Sequence, residues 1–269
     1  MTEGKVYFIG AGPGAPDLIT VRGRDLIARA DVVIYADSLV HPGVAAYARP
    51  DAEVHGSARL PLEEIVGRML AAVRAGKTVA RVHSGDPSVY GALHEQLALL
   101  EREGVMYEIV PGVSAAFAAA AALGVELTVP GVSQTVILSR HAGRTGVPER
   151  ENLPSLAAHG ATLVLFLSVT MVEHVVADLL NGGYPPETPA AAVYRVTWED
   201  ERILRGTLAD LVDRVKRAKL QLHTLLLIGR AVDPHLMAGA THRSNLYDAA
   251  YSHRYRKGVR PVAAQEQAD

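Results

Sequence analysis

VYFIGAGPGAPDLITVRG occupies residues 6–23, and the fold turns on how it is read. An apolar run ends in three glycines, Gly10, Gly12 and Gly14. Gly10-x-Gly12-x-x-Ala15 fits the dinucleotide fingerprint, which tolerates alanine at its third place. That fingerprint requires a tight turn with the helix starting at the glycines, so that the helix N-terminus faces a pyrophosphate. Here Pro13, Gly14 and Pro16 fill the turn. Thr20 has the character of an N-cap, with a helix beginning at Val21. The glycine loop then runs over residues 10–20, too long for the dinucleotide turn. Asp37 follows roughly where a ribose-binding carboxylate would lie, so spacing alone leaves both readings open.

Composition narrows the classes. The chain has 269 residues, 49% hydrophobic and 21% charged, enough for a sizeable core in one large or two modest domains. A net charge of -2 argues against a general nucleic-acid binder. There is no cysteine, which excludes disulfides and thiolate chemistry and fits a reducing cytoplasm. The first ten residues lack a basic segment followed by an apolar one. The most apolar stretch, residues 161–176, carries Ser168, Thr170 and Glu173 too early for a spanning helix, so no membrane role is expected. HExxH and EF-hand spacings are missing, and no metal site is expected. No GxSxG elbow is present either.

Strand-like and helical runs alternate through the first half. KVYFIGA, DVVIYAD, TVARVHSGD and VMYEIVPG read as strands. Residues 21–30, 61–76, 89–103 and 114–123 read as helices. The clearest has Leu62, Ile65, Val66, Met69, Leu70 and Val73 on one face, and Gly76 ends it. This order predicts a parallel-rich α/β sheet. After a Pro/Gly break near residue 130, the strands QTVILSR, ATLVLFLS, PAAAVYRVTW, ERILRGT and HTLLLIGRAV are closely spaced and predict a mixed sheet. The expected divisions are residues 1–130, residues 131–232 and a basic, aromatic tail over residues 233–269.

HSGDPSVYG (residues 83–91) and VPGVSAA (residues 110–116) each lie between a predicted strand and a helix. In open α/β sheets ligands bind at the carboxyl ends of strands. Three small-residue loops therefore converge on one edge, with one carboxylate, Asp86. Such an edge suits a small zwitterionic ligand with an adenosine. GAGPGxxxLIT, HSGDPSVYG and VPGVSAA, in this order and spacing, resemble the tetrapyrrole methyltransferases of the precorrin and uroporphyrinogen group. SRHAGRTGVPERE, LFLSVT, VYRVTWEDE and LYDAAYSHRYRKG are similar to the precorrin-4 branch of that family.

The resemblance covers essentially the whole chain. It implies two α/β domains with a cofactor cleft between them, a fold distinct from the Rossmann type. It also implies S-adenosylmethionine as methyl donor, a tetrapyrrole substrate and a homodimer. By the same resemblance Pro13 lies under the methionine end of the cofactor. Ser84, Gly85, Asp86 and Val89 form the central loop, flanked by Ser114 and Ala115. Leu167, Tyr194, Val196 and Ala231 pack near the adenine. Asp37 is the nearest match to a suggested base, at a one-residue offset, and the lysine that related enzymes carry downstream is absent from VHGSARLPLEE. The substrate's carboxylates call for positive donors. Arg140, His141, Arg144 and Arg150 on one Gly/Pro-rich loop, and His83, are the candidates. An oxidoreductase using NAD or FAD, a sister methyltransferase acting on another ring carbon, and an adenosine-ligand sensor are the competing readings.

Overall fold

The computed structural model describes residues 4–143, 145–236 and 244–259. Arg144 and part of the expected tail lie outside the described residues. Five strands form a first sheet: β1 (Val6–Gly10), β2 (Val32–Tyr35), β3 (Glu53–Gly56), β4 (Val79–His83) and β5 (Tyr107–Val110). Their order is β3-β2-β4-β1-β5 and every pairing is parallel. A dinucleotide-binding sheet has its first three strands as neighbours, in the order 3-2-1. Here β4 stands between β1 and β2, so the opening stretch does not build that fold.

Both faces of the sheet are covered, as parallel strands require. Helix α1 (Val21–Arg29) and the short α2 (Pro42–Ala45) cover one face through Ile27 and Val44, against Ile9, Val33 and Val82. Helices α3 (Leu62–Arg74) and α4 (Leu93–Arg102) cover the other through Ile65, Met69 and Leu100, against Phe8 and Ile34. Thr20 caps α1, its Oγ1 accepting the N–H of Gly23 at 3.1 Å.

The second sheet holds β6 (Val136–Arg140), β7 (Thr162–Phe166), β8 (Pro189–Tyr194), β9 (Arg202–Thr207) and β10 (Thr224–Ile228) in the order β6-β7-β10-β8-β9. Only β6 and β7 pair in parallel, so this sheet is mixed. Helices α6 (Leu153–Ala157), α7 (Val172–Asn181) and α8 (Leu208–Arg217) cover its outer face. Its other face is covered by α5 (Ala115–Leu123), which leaves the first sheet directly after β5. The buried alanines of α5, with Leu123, pack on Val164, Ala191, Val193, Leu225 and Leu227. Side chains this small let the helix axis lie close to the strands.

Two expected elements are shorter than their sequence patterns. The helix expected from residue 89 starts at Leu93, because Tyr90 (φ 53°) and Ala92 (φ 46°) are left-handed. The strand expected to run to Trp198 stops at Tyr194, because Arg195 (φ 44°) and Thr197 (φ 68°) turn the chain. Strand β3 and helices α2 and α6 have no counterpart in the sequence reading.

Candidate functional site

The carboxyl ends of β1, β4 and β5 meet through glycines. Gly12 and Gly85 form an isolated bridge, each N–H donating to the other's carbonyl, at 3.2 and 2.8 Å. A Cβ on Gly10 would stand 2.6 Å from the Cα of Gly112, and one on Gly112 would stand 2.2 Å from the carbonyl oxygen of Gly85. No side chain fits at either place. Asp86 fastens the same junction. Its Oδ2 accepts the Gly112 N–H at 2.9 Å, and its Oδ1 accepts the Ser88 N–H at 2.9 Å and the Ser88 hydroxyl. Burial raises its pKa, but the bonds from Ser88 and Gly112 outweigh burial and hold the carboxyl below its ordinary range.

This junction floors a cleft whose opposite wall comes from the second sheet. The floor is lined by Pro13, Ser84, Gly85, Asp86, Val89, Ser114 and Ala115. The wall contributes Phe166, Leu167, Val193, Val196 and Leu225, a mostly apolar surface. Clasps on two sides of the cleft join the halves. Tyr90 packs against Phe166 with ring centroids 5.3 Å apart and the rings tilted by 52°. On the other side Trp198 Nε1 donates to the carbonyl of Pro13 (3.2 Å), and Ala15 N–H donates to Thr197 Oγ1 (2.9 Å). Gly14 permits this approach, since a Cβ there would stand 2.3 Å from the indole.

Backbone strain gathers at the cleft. Tyr90, Leu167, Arg195 and His223 line it, and all four have positive φ; Thr197, between lining residues Val196 and Trp198, is a fifth. Such conformations cost on the order of 1–3 kcal/mol each and cluster at functional sites. Leu167 is 68% exposed, so its side chain contributes little to the core.

The expected residues divide in two. Pro13, Ser84, Gly85, Asp86, Val89, Ser114, Ala115, Leu167 and Val196 share the cleft. Tyr194 lies outside its lining, with the Arg202 guanidinium over its ring, and Ala231 is buried in a helical turn after β10. Asp37 also lies outside the lining, exposed after β2, where its Oδ1 accepts the Ala58 N–H at 2.7 Å. Arg140 turns back on its own loop and donates to the carbonyls of Thr145 (3.0 Å) and Gly146 (2.6 Å). His141 N–H donates to Ser168 Oγ (2.8 Å), and its Nε2 lies 3.1 Å from Asp178. Arg150 is exposed in a helical turn. Sequence reasoning did not single out Tyr90, Phe166, Arg195, Trp198 or His223, although Trp198 is the sole tryptophan.

His83 does not reach the cleft. The residue is 4% exposed and its ring packs on Phe8. Its Nε2 has no hydrogen-bond partner. Burial first, and then the nearby Arg81 charge, push its pKa down to about 3. Arg81 is itself buried, and its guanidinium is satisfied by Gln96, Ser57 and the carbonyl of Ile34. Among the described residues no three His, Asp or Glu are grouped to hold a metal ion, and no helix is long and apolar enough to cross a membrane.

Residues 5–212 match the family described as Tetrapyrrole (Corrin/Porphyrin) Methylases. The cobalt-precorrin-4 C(11)-methyltransferase of Priestia megaterium is 52% identical over 256 residues, 95% of this chain and 99% of that protein. The X-ray structure of a cobalt precorrin-4 methyltransferase, a cobalamin biosynthetic enzyme, superposes with a TM-score of 0.84 at 53% identity, covering 86% of this chain and 96% of that one. A Thermus thermophilus uroporphyrin-III C-methyl transferase, complexed with S-adenosyl homocysteine, has a TM-score of 0.70 at 31% identity, covering 85% of this chain and 99% of that one.

The buried imidazole gives a pH dependence of stability. The folded pKa of His83 lies below its ordinary value of 6.5, so the unfolded chain binds the extra proton between about pH 6.5 and 3. Its contribution is fully present above that window and is lost as pH falls through it. At about 1.4 kcal/mol per pH unit, this group removes roughly 2 kcal/mol between pH 6.5 and 5. His83→Asn should lose that much less over the same interval, measured by urea unfolding at both pH values. Equal losses in the two proteins would show that His83 does not titrate in this way.

Proposed function

This chain belongs to the tetrapyrrole (corrin/porphyrin) methylases, and from that premise we propose that it methylates C-11 of a precorrin-4-type tetrapyrrole with S-adenosylmethionine as methyl donor. The observation that carries the reading is the cleft itself. It has a backbone-rich floor with one ionised carboxylate, facing a largely apolar wall. Such a pair of surfaces suits a zwitterionic amino acid joined to a flat adenine. The identity with cobalt-precorrin-4 methyltransferases over nearly the whole chain supports the choice of ring carbon.

The donor supplies a sulfonium-activated methyl, so the bond from ring carbon to methyl forms as the bond to sulfur breaks and a neutral thioether leaves. The protein's work is alignment and exclusion of water. Asp86 locks the floor so that the backbone groups of residues 84–86 present one fixed surface. Leu167 and Val196 form the walls for the adenine. Asp37, exposed at the carboxyl edge of β2, is the carboxylate offered for removal of a proton from the methylated ring. The reading carries a cytoplasmic homodimer with it. The exposed apolar side chains of Val21, Ile109 and Phe117 support the pairing.

The test is incubation with S-adenosylmethionine labelled in its methyl and a reconstituted precorrin-4, mapping the label by NMR. Label at C-11 is expected; label at another ring carbon would make the protein a sister methyltransferase. Leu167→Gly should leave the melting temperature unchanged or higher, because glycine adopts the left-handed backbone without strain. It should weaken S-adenosylhomocysteine binding about fivefold, near 1 kcal/mol or half the value of burying a leucine. Full affinity in that variant would remove Leu167 from the adenine site. Asp37→Asn keeps the acceptor for Ala58, so the fold and S-adenosylhomocysteine affinity should hold. Its kcat should fall at least tenfold, since a positioned base contributes about 10²–10⁴. An unchanged kcat would assign proton removal elsewhere.

A further inference from the structure

The cleft has a second charged side chain that the methyl donor's site does not use. Arg195, directly after β8, is the only lysine or arginine among the described residues that line it. Its orientation is fixed from three sides. The guanidinium stacks on Trp198 with its central carbon 4.0 Å from the ring centroid. Nε donates to Asp200 Oδ1 at 2.7 Å. The backbone N–H donates to the carbonyl of His223 at 2.9 Å, holding the left-handed φ of 44°. Trp198 is in turn pinned to the first half through Pro13.

With Nε occupied, the two terminal nitrogens remain. Among the described residues they meet no protein acceptor. They form the edge of the fork that takes a carboxylate through two parallel bonds. The side chain is 24% exposed, so an ion pair there is less screened than on an open surface. Exposed Leu39 and Leu222 also line the cleft, which makes this its open, apolar side. Asp86, the other charged side chain of the cleft, belongs to the floor, where it holds Ser88 and Gly112. The guanidinium of Arg140 donates to Thr145 and Gly146.

We propose that Arg195 is a specificity residue that receives a carboxylate of the bound tetrapyrrole, with Trp198 and Asp200 setting the plane of its guanidinium. The proposal rests on the methyltransferase reading. It adds a polycarboxylate contact on the second-sheet side of the cleft, placed to fix which ring carbon faces the methyl. The other carboxylate within the same chemistry is that of the methionine end of the cofactor, and the experiment separates the two.

Arg195→Asn removes the guanidinium with a residue that tolerates left-handed backbone. Arg195→Lys keeps the charge and loses the planar fork. KM and kcat for precorrin-4 are measured with each, along with Kd for S-adenosylhomocysteine by calorimetry. KM should rise at least tenfold in the Asn variant and stay more than threefold raised in the Lys variant. The Kd should stay within twofold of wild type. If the Asn variant does not fold, the Lys variant carries the same test. A KM within threefold of wild type in the folded variants overturns the proposal. A tenfold weaker Kd with an unmoved KM also overturns it, and makes the cofactor's carboxylate the guest. Failure of the wild-type protein to methylate the tetrapyrrole, with S-adenosylhomocysteine still bound, is seen before any variant is made. That result sinks the functional reading and this proposal with it.

Discussion

The contact on which the rest depends is the approach of three backbones at Gly10, Gly85 and Gly112. Their carbonyls, nitrogens and Cα atoms come closer than a Cβ on Gly10 or Gly112 allows. This is a steric constraint rather than a strong bond, and it acts by exclusion. It brings the ends of β1, β4 and β5 into one surface. Asp86 then needs only to reach across from the loop after β4 to the Gly112 N–H. The glycines that look like a phosphate-binding turn therefore serve loop-to-loop packing. Gly14 extends the same device to the second half, where it makes room for Trp198.

Against this firm floor, the opposite wall is built from strained backbone. Leu167, Arg195 and His223 hold left-handed conformations at the ends of β7 and β8 and the start of β10. Strain of this kind persists only where surrounding contacts over-determine it. Those contacts are visible: the β8–β10 pairing is continued by the Arg195–His223 bond, and the Trp198 N–H closes a turn onto the carbonyl of Arg195. The wall thus sets its side chains by turning the chain sharply out of extended strands, whereas the floor is set by excluding side chains at Gly10 and Gly112.

How much of this was legible in the sequence follows from where each signal resides. VYFIG, VVIY and VARVH are buried on both faces, and runs rich in Val and Ile marked them as strands of a parallel sheet, although Arg81 and His83 interrupt the apolar run of the third. EVHG is a mostly exposed edge strand with neither alternation nor an apolar run, and it left no trace. The floor was legible because its loops are continuous motifs. Tyr90, Arg195 and His223 were not, because left-handed backbone at a non-glycine residue has no compositional signature. His83 and Arg140 show the converse. Their residue types suit an anionic substrate, but one is buried beneath its own loop and the other is consumed by its own loop.

The alanine-rich helix α5 has a consequence for how the chain becomes a protein. It grows from the last strand of the first sheet, yet its buried residues belong to the core of the second. A fragment ended near residue 130 would carry that helix with nothing to lie against. The complementary fragment would present Val164, Ala191, Val193, Leu225 and Leu227 to water. The first sheet has closed cores of its own on both faces, so during synthesis it is α5 alone that stays uncovered until β10 has left the ribosome. The two sheets are separate in hydrogen bonding and are joined by the packing of one helix.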